Sequence, residues 1–303
     1  MSLQDKTGGG PLMQALRSGS EVLRRDRLAL FGFIVYVCFL VIALLAPWIA
    51  PYGPTEVIQE EGIWLANEAP SARFFLGTTN LGRDIFSQLL YGTRTALLVG
   101  FSAALIVALL GTVIGLLAGY YGGWIETLLM RLADVAFGIP FLPFVIVLVA
   151  FLEPNIWNVV LAMALLLWRD TARVIRSQVL VVKEQAFVSA ARVSGASNLR
   201  IIFLYIAPSI LPLSFLYGSL AIGWAILTEA SVSFLGFGDP NVVSWGFMLQ
   251  DAFVSQAMSR AAYFWILPPG VCIMLSVMAG FFIGRGFEEV LFPHLRSVHD
   301  GLA

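Results

Sequence analysis

The sequence predicts an all-α membrane protein with six transmembrane helices, on three observations. Its 303 residues are 59% hydrophobic and only 12% charged, with a mean hydropathy of +0.86, whereas soluble domains run at about 45–50% apolar and about 25% charged. Six apolar runs are each long enough to cross a hydrocarbon core of about 30 Å. The basic residues gather on alternate connections between those runs, as the positive-inside rule requires.

Residues 1–27 form a polar cytoplasmic segment carrying Lys6, Arg17, Arg24, Arg25 and Arg27. The first transmembrane helix follows over 28–50, with Leu28–Ile49 as its apolar body. That body exceeds the apolar core of a signal peptide, about 7–15 residues, and ends in Ala46-Pro47-Trp48 without a small-residue cleavage pattern, so it reads as a retained span. Residues 51–94 are broken by Pro51, Pro54 and Pro70, and acids (Glu56, Glu60, Glu61, Glu68, Asp84) outnumber bases (Arg73, Arg83, Arg94). They make a small ordered extracytoplasmic segment.

The core, 95–286, holds five more helices, over 95–119, 127–152, 157–180, 206–230 and 263–284. Gly119–Trp124 and Glu153-Pro154-Asn155 punctuate it as turns. Residues 287–303 are a cytoplasmic tail. With the N-terminus inside, Arg131, Arg169, Arg173, Arg176, Lys183, Arg192, Arg200, Arg285 and Arg296 join the inner side, and only Arg73, Arg83, Arg94 and Arg260 fall outside. Both chain ends are thus cytoplasmic.

The segment 183–205, between the fourth and fifth helices, is the one long polar stretch between two deeply apolar ones in the second half of the chain. Phe187, Ala190, Ala191, Ile201, Ile202 and Tyr205 give it short apolar stripes at helical spacing, interrupted at Gly195, where a backbone without Cβ can bend. Two readings stand: an ordinary connector, or a surface helix–turn–helix that offers an apolar face to a soluble partner.

Other chemistry is sparse. A net charge of −1 gives no reason to expect nucleic-acid binding. The only lysines, Lys6 and Lys183, follow no phosphate-binding glycine pattern, and no Gly-x-Ser-x-Gly elbow is present. Cys38 and Cys272 lie in apolar runs and read as small core hydrophobes. His294 and His299 read as solvated tail residues. No catalytic, cofactor or metal site is expected. Asp134 is a candidate for the substrate path, or a structural partner of Arg131 three residues before it on the same face. Glu229, at the end of an apolar helix without a local partner, faces either the pore or the interface. Arg169, Arg173 and Arg176 recur on one helix face as snorkelling anchors or as a docking surface for an acidic partner. Pro208 and Pro212 mark a helix entrance or kink.

These residues resemble the permease subunits of ABC importers of the dipeptide/oligopeptide/nickel family. That superfamily carries a Glu-Ala-Ala-x3-Gly-x9-Ile-x-Leu-Pro signature in its cytoplasmic loop. Ala190, Ala191, Gly195 and Pro208 match it here, while Ser189, Tyr205 and Ala207 stand at its Glu, Ile and Leu positions. FLGTTNLGRDIFSQLLYGTRTALLVG (75–100), GYYGGWIETLLMRLADVAFGIP (119–140) and LTEASVSFLGFGDPNVVSWGFML (227–249) resemble further family segments. RLALFGFIVYVCFLVIALLAPWIAPYGP (27–54) is similar to the N-terminal segment of the C-type subunit.

The resemblance implies a type I ABC importer-like permease fold, with a coupling helix at about 187–198. It implies a heterodimer with a homologous B-type permease, two ATP-binding subunits that bind ATP and Mg beneath the membrane, and an extracytoplasmic substrate-binding protein docking on segments such as 52–93 and 232–262. Phe187, Ser189, Ala190, Ala191, Gly195, Ala196 and Pro208 are the expected ATPase-coupling residues. The expected cargo is a di- or oligopeptide, with nickel complexes or oligosaccharides as alternatives. A different class, the self-contained secondary transporter or channel, requires internal repeats with paired intramembrane acids or broken helices at matching positions, and the sequence offers neither.

Overall fold

The computed structural model describes residues 26–291. Lys6, Arg17, Arg24, Arg25, Arg296, His294 and His299 lie outside the described residues. Helix α1 (Arg27–Ile49) is opened by Asp26, whose Oδ1 accepts the Leu28 N–H at 2.8 Å. Phe33, Leu40 and Leu44 stand exposed on it, as a lipid-facing surface requires. Its other face meets the last helix, α9 (Tyr263–Leu291): Tyr36 Oη donates to the Ser276 carbonyl at 2.8 Å. Cys38 is on the exposed side of α1, which corrects the expectation of a core thiol; Cys272 on α9 is half-buried, and both are free.

The outer segment contains a two-stranded hairpin, β1 (Gln59–Glu60) and β2 (Ile63–Trp64), antiparallel with Gln59 opposite Trp64. Glu61 and Gly62 turn it with φ of 52° and 81°, the pair of positive angles that a two-residue hairpin loop demands. Helix α2 (Ile85–Tyr121) then starts ten residues before the expected 95. Asp84 is the reason: its Oδ2 accepts from the Ser87 N–H at 2.8 Å and from Ser87 Oγ at 2.6 Å. The polar first turns are satisfied by protein instead of lipid, since Gln88 Nε2 donates to the Pro54 carbonyl at 3.2 Å and the buried Trp245 indole donates to the Leu89 carbonyl at 3.2 Å.

Farther along α2, Gly111, Gly115 and Gly119 repeat at four-residue spacing and let α5 (Ile156–Val182) approach. A Cβ at Gly111 would lie 2.5 Å from Thr171 Cβ, at Gly115 2.7 Å from the Ala172 carbonyl oxygen, and at Gly119 2.6 Å from Val179 Cβ. Small residues at such spacing allow the close helix contact on which packing in lipid depends.

The apolar stretch 127–152, expected as one span, is two helices. Helix α3 (Gly123–Gly138) and helix α4 (Phe141–Leu152) are bent by 89° at Gly138-Ile139-Pro140. Pro140 supplies no N–H to continue the ladder and biases Ile139 toward extended backbone, which is observed at φ −86°, ψ 124°. Asn155 caps α5, and Asn158 Nδ2 donates to the Leu152 and Glu153 carbonyls at 3.0 and 2.9 Å, closing the end of α4.

The second half comprises α6 (Ala186–Val193), α7 (Asn198–Phe234), α8 (Trp245–Val254) and α9. Helices α1, α2, α7 and α9 are each long and apolar enough to cross a membrane, and the bent pair α3–α4 makes a fifth crossing if counted as one. Helix α5 has the length, 27 residues, but Arg169, Asp170, Arg173 and Arg176 make it too charged to qualify by composition. The chain is a multi-pass helical membrane protein.

Candidate functional site

The segment between α5 and α7 is an ordered corner. Helix α6 starts after Gln185 and stops at Gly195, whose φ is +79°. The Gly195 N–H bonds the Arg192 carbonyl at 3.1 Å, and the Ala196 N–H bonds the Ala191 carbonyl at 3.1 Å. This paired pattern closes a helix through a left-handed residue and satisfies its terminal carbonyls. Ser197 Oγ accepts from the Arg200 N–H at 3.4 Å and opens α7 only four residues later than α6 ends. The expected loop 183–205 is therefore a short helix, a turn over 194–197 and the first turns of the following crossing helix.

Two bonds tie the corner to the end of α2. Lys183 Nζ donates to the Gly119 carbonyl at 2.9 Å, and Tyr120 Oη donates to Asn198 Oδ1 at 2.8 Å. Beneath it lies an apolar cluster in which Val188 and Ala191 of α6 meet Ile201, Ile202 and Ile206 of α7. Each buried isoleucine contributes about 1.5–3 kcal/mol relative to exposure. Ala191 is thus turned inward, which removes it from the face expected to approach a partner. Ala196 packs on the same cluster.

The outward surface holds Phe187, Ser189, Ala190 and Val193, with Val193 90% exposed and Leu199 across the turn 60% exposed. Large apolar groups on a polar segment mark an interaction surface. Pro208 lies within the continuous α7, just after a widened π turn over Ile201–Ile206 in which the Ala207 N–H reaches the Ile202 carbonyl. That turn accommodates a proline that an unbroken α-helix would not.

Asp134 pairs with Arg131, as its spacing suggested, at 3.9 Å, and more tightly with Arg173 of α5 at 2.8 Å. The arginines of α5 are neither free anchors nor a free docking face. Arg176 Nε donates to Glu126 Oε1 at 2.6 Å, Arg169 donates to the Ala136 carbonyl, and the Arg169 and Arg173 guanidiniums lie 4.5 and 4.1 Å from the Phe137 ring centroid. Helix α3 is clamped to α5 along its length, and Arg169 covers a carbonyl at its C-terminal end, where a cation also favours the helix dipole. An open cleft of about 580 Å³ lies along this seam, lined by Glu126, Met130, Arg131, Asp134, Arg173 and Arg176. Complementary spacing was the available signal: Glu126 and Asp134 are eight residues apart on one helix, and Arg169, Arg173 and Arg176 form a stripe on the other.

Glu229 is 5% exposed and faces its own chain, neither an interface nor open space. Ser233 Oγ donates to its Oε1 at 2.6 Å. Among the described residues no group of His, Cys, Asp and Glu could hold a metal ion.

Comparison with known proteins follows the same outline. Residues 111–297 match the family described as binding-protein-dependent transport system inner membrane component, and residues 15–70 match the N-terminal TM domain of oligopeptide transport permease C. The chain is 36% identical over 282 residues to a dipeptide transport system permease protein of Alkalihalophilus pseudofirmus, covering 93% of this chain and 90% of that one. It is 35% identical over 275 residues to a glutathione transport system permease protein of Pectobacterium atrosepticum, covering 90% and 89%. A di/tripeptide transport system permease protein of Pseudomonas aeruginosa is 36% identical over 275 residues, covering 89% of each.

Proposed function

We infer the function from kinship: the chain belongs to the family of binding-protein-dependent transport system inner membrane components. It is a permease subunit of an ABC importer, and its cargo is a small peptide, the class named for its dipeptide, di/tripeptide and glutathione relatives.

In this reading the chain crosses the cell's inner membrane six times, with α5 as the fourth crossing and both ends cytoplasmic. It pairs with a homologous B-type permease, receives cargo from an extracytoplasmic binding protein, and rests on two ATP-binding subunits that hold ATP and Mg. The chain binds no cofactor of its own.

The observation that carries the mechanism is the corner around α6. Its inner side is fixed by Val188, Ala191 and the isoleucines of α7, while Phe187, Ala190 and Val193 face outward. A short helix presenting an apolar face suits a groove on a soluble subunit. Closure of the ATP-binding pair would move α6, and α6 cannot move without α7, because the turn between them is short and hydrogen-bonded. Gly195, Ala196 and Ser197 act as that joint, and Pro208 follows in the moving helix. This is alternating access by motion of helices against one another.

The test is a purification. The double variant Phe187→Asp, Val193→Asp is expected to insert in the membrane and lose the ATP-binding subunits, together with ATP-driven peptide uptake. Full retention of both would remove α6 from the coupling role.

A further inference from the structure

We propose that the charged cleft between α3 and α5 lines the translocation pathway and is a subsite for the free ends of a peptide, with Arg131 meeting the carboxylate and Asp134 the ammonium. The proposal rests on the reading of the protein as a peptide permease.

Depth is the first argument. Helix α5 spans 27 residues, about 40 Å at 1.5 Å per residue, so Arg169 at its midpoint lies deep in the crossing. Arg173 lies one turn nearer the C-terminal end of α5, level with the cleft, which runs from Gly123 at the start of α3 to Asp134. The bend between α3 and α4 begins beside Arg169. Broken helices and charges at depth coincide in transporters where a polar solute is handled.

Exposure is the second. The Arg131 side chain is 78% exposed, and those of Arg173 and Asp134 are about half exposed, at 50% and 49%. A charge turned to hydrocarbon costs about 2.5–3.5 kcal/mol even on insertion scales, so this face is turned to water in the assembled transporter. The same helix supplies an alternative lipid face, since Trp124, Leu128, Leu132 and Val135 form an exposed apolar stripe.

The donor set is the third. Asp134 Oδ1 is engaged by Arg173 at 2.8 Å, whereas Arg131 reaches Oδ2 only at 3.9 Å, beyond hydrogen-bond length. Arg131 therefore keeps its donors for a carboxylate, and the outer oxygen of Asp134 keeps acceptor capacity for an ammonium. Two carboxylates and three guanidiniums line a volume of about 580 Å³, within the range of about 300–1,000 Å³ for small-ligand sites. A zwitterion matches both signs, whereas a lipid phosphate matches only one.

The experiment uses the assembled transporter with Cys38 and Cys272 replaced by alanine. Arg131→Cys is expected to react with a charged, membrane-impermeant thiol reagent, and turnover on a free tripeptide should slow that reaction. In the native-cysteine transporter, Arg131→Gln should lower the ratio of uptake of the free tripeptide to that of its C-terminal amide about tenfold, the worth of one charge-assisted hydrogen bond. The same binding protein serves both variants, so its own preference cancels. Reaction only with a lipid-soluble reagent would overturn the proposal, and so would an unchanged uptake ratio or protection by anionic lipid in place of peptide. Uptake by the unsubstituted complex separates the two levels: if it imports no peptide, the permease reading itself fails.

Discussion

Gly195 shows how a single backbone angle sets the turn between two helices. Nothing lies within 4 Å of the position a Cβ would take, so size is not the constraint; the φ of +79° is. A β-branched residue there pays about 1–2 kcal/mol for the left-handed conformation, while asparagine is tolerated in such a cap. Gly195→Val is expected to loosen the corner and expose the turn 194–197 to protease in inside-out vesicles, with Gly195→Asn close to the parent. Asp251 on α8 offers a second residue-scale expectation, outside the membrane crossings. Burial pushes its carboxyl above the usual carboxylate range, and the positive charge of Arg83 draws it partly back. The folded state therefore binds this proton more readily than the unfolded chain, and stability falls as pH rises from the ordinary carboxylate value through the raised one. Asp251→Asn should raise the thermal midpoint in detergent at pH 7 and give no gain near pH 4. Of the single residues, Gly195 was legible because its spacing from Ala190 and Ala191 carries meaning. The inward turn of Ala191 was not, since a short stripe of alanines does not reveal which side meets its own chain.

Pairs of elements explain where apolarity alone misleads. The start of α2 was placed late because the mixed polarity of 51–94 read as one segment, yet Ser87 and Gln88 hydrogen-bond Tyr52 and Pro54 of the preceding polypeptide and Asp84 caps the helix. The third crossing was read as one run because hydropathy does not register a bend, and Gly138-Ile139-Pro140 was the overlooked mark. The glycine seam of α2 predicts a strong effect. Gly115→Val would drive atoms into the Ala172 carbonyl and Ile175, an overpacking worth about 1–3 kcal/mol or more, seen as a lower thermal midpoint and lower yield. At the break, Arg169 donates to the Ala136 carbonyl and stacks on Phe137 with its side chain 12% exposed. Lysine lacks the planar fork, so Arg169→Lys is expected to behave like Arg169→Met in thermal melts, both below the parent. A full rescue by lysine would show that charge alone holds the bend.

At the scale of the whole molecule, the class of protein, its helical content and the place of the corner between two long helices were legible, because a bilayer leaves few solutions for a backbone. Orientation can be tested directly. In a background without Cys38 and Cys272, Ile63→Cys at the hairpin, exposed by 70%, should react with an impermeant maleimide in intact cells. Ser194→Cys should react only after the membrane is opened; the reverse pattern would invert the topology.

The continuous helical run Asn198–Phe234 has a geometric consequence for how far its far end can swing. Its 37 residues form a rod of about 55 Å, held at its N-terminal end by α6 and meeting α8 at the far end, where a Cβ at Gly246 would lie 2.4 Å from the Ala230 carbonyl oxygen. A tilt of about 5° at the gripped end displaces the other by about 5 Å. In the proposed cycle, a modest stroke at α6 would thereby be amplified at the opposite end of α7, with the π turn before Pro208 as one place to absorb it.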